Sequence, residues 1–187
     1  MSSAAVVVGA AGAIGRAVLR RVAESGRYAR VVATARCLGA AQEAAKEVGR
    51  KEVVPLAANL DEEGAAESVI EEMRKSGGLE TVVFVPEATG AEGPITQTTT
   101  MEFDQVWMSW IGGAVRIARA ALPELRTHSN GSFVLVGSTL GYTPFLGAGA
   151  VSTAAAAQLA LVQALAWDAG KVRVNAVVPG PMADDMH

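Results

Sequence analysis

The chain has 187 residues, of which half are apolar and 19% charged, with a formal net charge of −3 at pH 7. That is enough for one domain with a substantial core, and the composition excludes a disordered chain. Lysines and arginines are scattered rather than striped, so nucleic acid is not an expected partner. The single cysteine, Cys37, allows no internal disulfide, and no Cys/His spacing suits a metal site.

The chain opens MSSAAVVVGAAGAIG, with no basic segment ahead of the apolar run, unlike a secretion signal. No apolar stretch reads as approaching the ~20 residues that cross a bilayer. The expectation is a soluble cytoplasmic protein.

In chain order, strands are expected at 4–9, 30–35, 52–57, 80–85, 132–137 and 172–178. All read as continuously apolar, as strands buried on both faces of a parallel sheet do. Helices are expected at 13–24, 38–49, 61–76, 100–126 and 150–168. The first carries Ile14, Val18 and Val22 in steps of four, opposite its arginines. The third opens at Asp61, a good N-cap, followed by Glu62 and Glu63. Strict alternation predicts a single α/β domain over 1–187. It is a Rossmann-like, doubly wound parallel sheet of about six strands with helices on both faces. The stretch 86–99, rich in Gly, Pro and Thr, reads as a loop within that domain.

Gly9, Gly12 and Gly15 stand at the first strand-to-helix junction, in VVVGAAGAIGRAVLRR. A pyrophosphate needs a tight turn, close backbone approach and free N–H groups at a positive helix end, and bulky side chains would block it. A structural turn packed with small residues is the alternative. The second strand ends VVATARCLG, with no carboxylate for ribose hydroxyls; Ala35 is small and Arg36 follows. A guanidinium here suits a 2′-phosphate, which favours NADP(H), although a solvated loop arginine has the same sequence.

These features, with GSTLG and VRVNAVVPGPM further on, resemble the short-chain dehydrogenase/reductase family over almost the whole chain. The resemblance implies cofactor contacts at Gly9, Gly12, Ala13, Ile14 and Gly15, with Ala13 where a middle glycine often stands. It places Asn59 and Leu60 beside the adenine, in place of an Asp-Val pair. Pro86-Glu87-Ala88-Thr89 takes the place of the motif after the fourth strand, with Ala88 at the cofactor. Pro179 and Gly180 match the turn beside the nicotinamide. Ser138 matches the serine that polarises the substrate carbonyl.

The family's proton-transfer set does not carry over. Its tyrosine falls on Val151, its lysine four residues later on Ala155, and its supporting asparagine on Trp110. No Tyr or Lys occurs between 143 and 170, so a small shift of alignment rescues neither. A general acid contributes typically 10²–10⁴-fold, so ordinary family catalysis should be badly weakened. The resemblance stops at PMADDMH, where family members usually continue into a segment that covers the substrate, so the sixth strand is expected to be a sheet edge unless a partner covers it.

Tyr142, four residues after Ser138, is a candidate replacement phenol, or else a loop aromatic over the pocket. Tyr28 lies far from the site. His128, in RTHSNG, reads as a surface residue at the wrong end of the sheet. Glu87 is a pocket acid or a solvated loop carboxylate. Ser138 alternatively caps its own turn. Trp107, Met108 and Trp110 read as core or interface. The helices 100–126 and 150–168 keep small residues, which allow close helix approach. In the family they form a dimer surface, so a homo- or hetero-oligomer is expected through them. Three functions remain open: a non-catalytic partner or cofactor-binding protein, an atypical NADPH-dependent carbonyl reductase, and a protein that no longer binds nucleotide.

Overall fold

A computed structural model describes residues 3–75, 77–86 and 92–181. The chain alternates β1 (Ala4–Val8), α1 (Ala13–Glu24), β2 (Arg30–Ala35), α2 (Leu38–Val48), β3 (Val53–Ala57), α3 (Ala65–Arg74) and β4 (Leu79–Phe84). It continues with α4 (Thr100–Trp107), a π-helical turn (Met108–Gly112), α5 (Gly113–Leu125), β5 (Ser132–Val136), a 3₁₀ turn (Thr139–Gly141), α6 (Gly149–Asp168) and β6 (Arg173–Val177). The six strands form one parallel sheet in the order β3-β2-β1-β4-β5-β6. The direction of winding reverses between β1 and β4, and the carboxyl ends of those strands open the crevice where such sheets bind ligands.

The two-residue period of β1 divides the core. Val6 and Val8 face one layer, where Val69, Ile70 and Met73 of α3 meet Ile117 and Leu125 of α5. Val7 faces the other, against Leu19 of α1 and Ala44 of α2. α6 lies on the first side, packing Leu161, Val162 and Leu165 on that core.

Burial on both faces is a property of the central strands alone. β1 and β4 are buried throughout, whereas the edge strands are not: in β6, Arg173, Asn175 and Val177 are exposed. α1 turns Gly15, Leu19 and Ala23 fully inward rather than Ile14, Val18 and Val22, which are half-buried along the flank. The close approach of Gly15 to the loop before it sets that rotation. The third helix is shorter than expected, and Asp61 does not cap it. The Asn59 side chain accepts from the Asp61 N–H at 3.3 Å, making a local turn. Gly64, at φ +81°, is the N-cap instead, and only Glu67 remains in the first turn.

His128 is half-buried rather than a free surface residue. Its Nε2 lies 3.7 Å from Glu80, a carboxylate buried at the start of β4 and also held by Arg27. The Tyr28 hydroxyl bonds Thr81 at 2.9 Å, well away from the crevice. The membrane expectation also needs correction. α6 is 20 residues long with a mean hydropathy of 1.4, long and apolar enough to cross a bilayer by length and composition. Its residues Ala150, Ala154, Ala155 and Gln158 are buried within the fold.

α4 begins where the sequence places it because Thr99 and Glu102 form a capping box. The Glu102 N–H donates to Thr99 Oγ1 at 3.2 Å, and the Thr99 N–H donates to Glu102 Oε2 at 2.8 Å. The Thr99 backbone N–H, then its hydroxyl, holds the Glu102 carboxyl below its ordinary 4.5. A carboxyl depressed by folding adds stability that is complete above its unfolded value and lost as pH falls through the folded one. Thr99→Ala should cost about 1 kcal/mol at neutral pH by thermal melting, and less as pH drops below that range.

Candidate active site

The turn leaving β1 is fixed by its own backbone. Gly9 has φ +76°, and a Cβ there would lie 2.1 Å from the Val85 carbonyl oxygen. A Cβ on Gly15 would lie 2.0 Å from the Gly9 carbonyl oxygen. Gly12 differs: its nearest neighbour to such a Cβ is 3.9 Å away, so nothing in the fold itself demands a glycine. It is the N-cap of α1, with no side-chain cap, and it borders both halves of the crevice. A side chain there would fill the cradle, not disturb the turn. The first N–H groups of α1, unpaired within the helix, open at this position. Arg16, one turn into α1, donates from Nε to the Ala11 carbonyl at 2.8 Å and pairs with Glu47 of α2. It thereby ties the loop to both helices.

On the β2–β3 side the crevice is lined by Ala35, Arg36, Ala58, Asn59 and Leu60, with Ser109 from the π-helical turn. Arg36 is exposed at this wall. Asn59 bonds Glu62 and the following turn, so its amide shapes the wall. Arg116 of α5 donates to the Leu60 carbonyl at 2.9 Å and fixes that segment from behind. On the β5–β6 side a cavity of about 370 Å³ opens between Ala13, Ile14, Val136, Ser138, Pro179 and Gly180. The Thr139 N–H donates to the Pro179 carbonyl at 3.0 Å, which joins its two walls.

Every described residue expected at a dinucleotide therefore borders this crevice: Gly9, Gly12, Ala13, Ile14, Gly15, Arg36, Asn59, Leu60, Pro179 and Gly180. Ala88, like Glu87, lies outside the described residues. Ser138 caps its own turn, as one of its two readings expected, and also borders the cavity. Its Oγ accepts from the Leu140 N–H at 3.2 Å. Tyr142 is 69% exposed and is not among the residues that line the cavity. Trp107 is partly exposed and stacks on Phe103, with ring centroids 6.3 Å apart.

Trp110 is buried and belongs to one apolar cluster with Val106, Ala150, Ala154 and Ala155, against which Val151 packs. The π-helical turn brings this about. Ser109 borders one half of the crevice and Trp110, the next residue, borders the other. From the far side, Gly141 of the 3₁₀ turn sits on the α6 backbone; a Cβ on it would lie 2.8 Å from the Ala155 carbonyl carbon. Ala155 is thus enclosed on two sides. Ser109, Arg16 and Arg116 were not legible as site residues, because their roles depend on which strand end each helix crosses.

A parallel sheet of this order, with a glycine turn opening α1 and a crevice at the switch point, defines a Rossmann-type dinucleotide-binding domain. The short chain dehydrogenase family profile matches residues 3–187, and this chain belongs to that family. Members of the family bind nicotinamide cofactors. The 3-oxoacyl-[acyl-carrier-protein] reductase of Bos taurus is 30% identical over 190 residues, covering 100% of this chain and 78% of the relative. The 4-formylbenzenesulfonate dehydrogenase of Comamonas testosteroni is also 30% identical, covering 94% and 71%. Among solved structures, a 3-ketoacyl-ACP reductase from Sinorhizobium meliloti superposes with TM-score 0.86 at 31% identity, over 95% of this chain and 71% of that one. A short chain dehydrogenase from Mycobacterium smegmatis gives 0.85 at 27% identity, over 98% and 79%.

Proposed function

We propose that this chain binds NADP(H) and has lost the family's proton-transfer apparatus, serving as a non-catalytic partner subunit of an active reductase or as a cofactor-binding protein. One observation carries the reading. The positions that the resemblance assigns to asparagine, tyrosine and lysine, here Trp110, Val151 and Ala155, fall in a single apolar cluster beside the crevice that the described residues expected at a nucleotide line. None of the three side chains can deliver a proton to a substrate oxygen. The loss is also self-consistent in packing: a large indole occupies the space next to a helix made of alanines.

The bound nucleotide would supply a hydride. The chain's own part is to hold its diphosphate on the α1 N-terminus, with Gly12 leaving the approach open. Arg36, at the end of β2 and without a neighbouring carboxylate at position 35, supports a preference for the 2′-phosphate. Partnering is proposed through α4–α5 and α6, whose small residues permit close helix approach; the exposed Ala156, Ala160, Ala164 and Trp167 on α6 favour it. No nucleic acid or membrane partner is part of this proposal. The reading also includes a cytoplasmic location, which the exposed free thiol of Cys37 favours.

The second reading, an atypical NADPH-dependent carbonyl oxidoreductase, is favoured by Ser138, whose hydroxyl remains in the cavity. Its proton would come from water, the substrate or Tyr142. Assay of a neutral ketone with NADPH separates the two. No NADPH consumption by the isolated protein supports the first; turnover that falls in Ser138→Ala and Tyr142→Phe supports the second.

A further inference from the structure

The crevice offers the two ends of a dinucleotide unequal partners. Its β2–β3 half is lined by polar side chains: Arg36, Asn59, Asp61 and Ser109. The α1 N-terminus stands between the halves at Gly12, with the N–H groups that the helix leaves unpaired. The β5–β6 half is different. Among the described residues that line it, only Trp110 and Ser138 carry a polar side-chain atom. The indole Nε1 of Trp110 is enclosed and has no partner among the described residues, so the ring presents only carbon to a ligand. Ser138 Oγ already accepts the Leu140 N–H, which leaves one O–H to donate. The backbone of this wall is committed as well. The Gly137 N–H donates to the Val177 carbonyl at 2.8 Å, and the Thr139 N–H to the Pro179 carbonyl at 3.0 Å. Val151, packed on the Trp110 cluster, completes the wall with hydrocarbon.

The nicotinamide riboside end of NADP(H) brings two ribose hydroxyls and a carboxamide, and each gives up water on entering the β5–β6 half. One side-chain donor answers three polar groups there. A polar group buried without a partner offsets what the apolar surface beside it gains. The other end of the ligand is in the opposite position. It carries all the phosphates, and the guanidinium of Arg36 and the α1 N-terminus are the groups that hold phosphate. We propose that this chain recognises 2′-phosphorylated adenine nucleotides by that end alone, whatever the nicotinamide or its oxidation state. NADPH, NADP⁺ and 2′-phospho-ADP, which has no nicotinamide riboside, are then equivalent ligands. Occupancy follows their total concentration and not their redox ratio. The inference rests on the NADP(H)-binding reading and narrows which part of the ligand is read.

The test is calorimetric titration of the full-length protein with NADPH, NADP⁺, 2′-phospho-ADP and reduced nicotinamide mononucleotide. The expected result is that the first three bind with dissociation constants within about threefold of one another, while the mononucleotide shows no saturable binding. Arg36→Ala, a change at an exposed position, should weaken the first three by one common factor. Gly12→Val should remove all three together. NADPH or NADP⁺ binding more than about threefold tighter than 2′-phospho-ADP overturns the inference and leaves the nucleotide reading standing. Saturable binding of the mononucleotide, or unequal losses among the three ligands in Arg36→Ala, does the same. Failure of NADPH, NADP⁺ and 2′-phospho-ADP alike to bind overturns the nucleotide reading, and the inference with it.

Discussion

The triple variant Trp110→Asn, Val151→Tyr, Ala155→Lys should reduce a neutral ketone with NADPH about 10²–10⁴-fold faster than the unmodified chain, the contribution expected of a positioned general acid. The effect should not be reachable by single steps. Ala155 is fully buried between the Trp110 cluster and the Gly141 turn. Ala155→Lys alone would force an ammonium and four methylenes into filled apolar space. Overpacking of that kind costs about 1–3 kcal/mol before the charge is counted. For a domain of this size each kcal/mol lowers the melting temperature by roughly 2–4 °C, so the single variant should melt well below the parent. Trp110→Asn frees the volume the lysine needs, and the two changes should therefore be strongly non-additive. Val151→Tyr alone should change the rate little, because its phenol would lack the neighbouring cation. Melting curves and steady-state rates for the set measure both halves of the prediction. Equal additivity, or full activity from Val151→Tyr alone, would contradict the packing argument.

The second large effect separates two glycines of one turn. Gly9→Val should destabilise the fold by about 3 kcal/mol or more, since it combines a left-handed backbone position with a Cβ 2.1 Å from the Val85 oxygen. Gly12→Val should cost no more than about 1 kcal/mol, the loss of a favourable N-cap, because its Cβ meets no protein atom closer than 3.9 Å. It should nonetheless abolish measurable NADPH binding, since its side chain would stand where the diphosphate approaches. A Gly12 variant that binds normally would mean the cradle serves the fold and not a ligand.

Much of this was legible in the chain. Continuous apolar runs gave the strands to within a residue or two, because buried parallel strands leave no room for polar alternation. The glycine turn at the head of the crevice was legible because the close backbone approaches at Gly9 and Gly15 leave no room for side chains. Other features were not. The third helix starts at Gly64 because the Asn59 turn competes with the Asp61 cap, a contest between two local hydrogen-bond patterns of similar strength. The 100–126 helix is interrupted by a π-helical turn, which depends on packing against α6 and the crevice and has no composition of its own. The burial of His128 arises from Glu80, distant in sequence and brought near only by the sheet. For Tyr142, proximity to Ser138 along the chain suggested a pocket residue, whereas the 3₁₀ turn carries its side chain to the surface.

The alanine-rich stretch of α6 has the clearest physical meaning of the chain's departures from its family. Ala154 and Ala155 are buried in one apolar cluster with Trp110, and under the proposed reading this core stands where the family resemblance expects a polar catalytic corner. The central claim is that the nucleotide crevice is retained while this corner is closed to proton transfer. Titration of the isolated full-length protein with NADPH tests it most directly. Saturable one-to-one binding, tighter than that of NADH, is the expected result; the absence of any NADPH binding would contradict it.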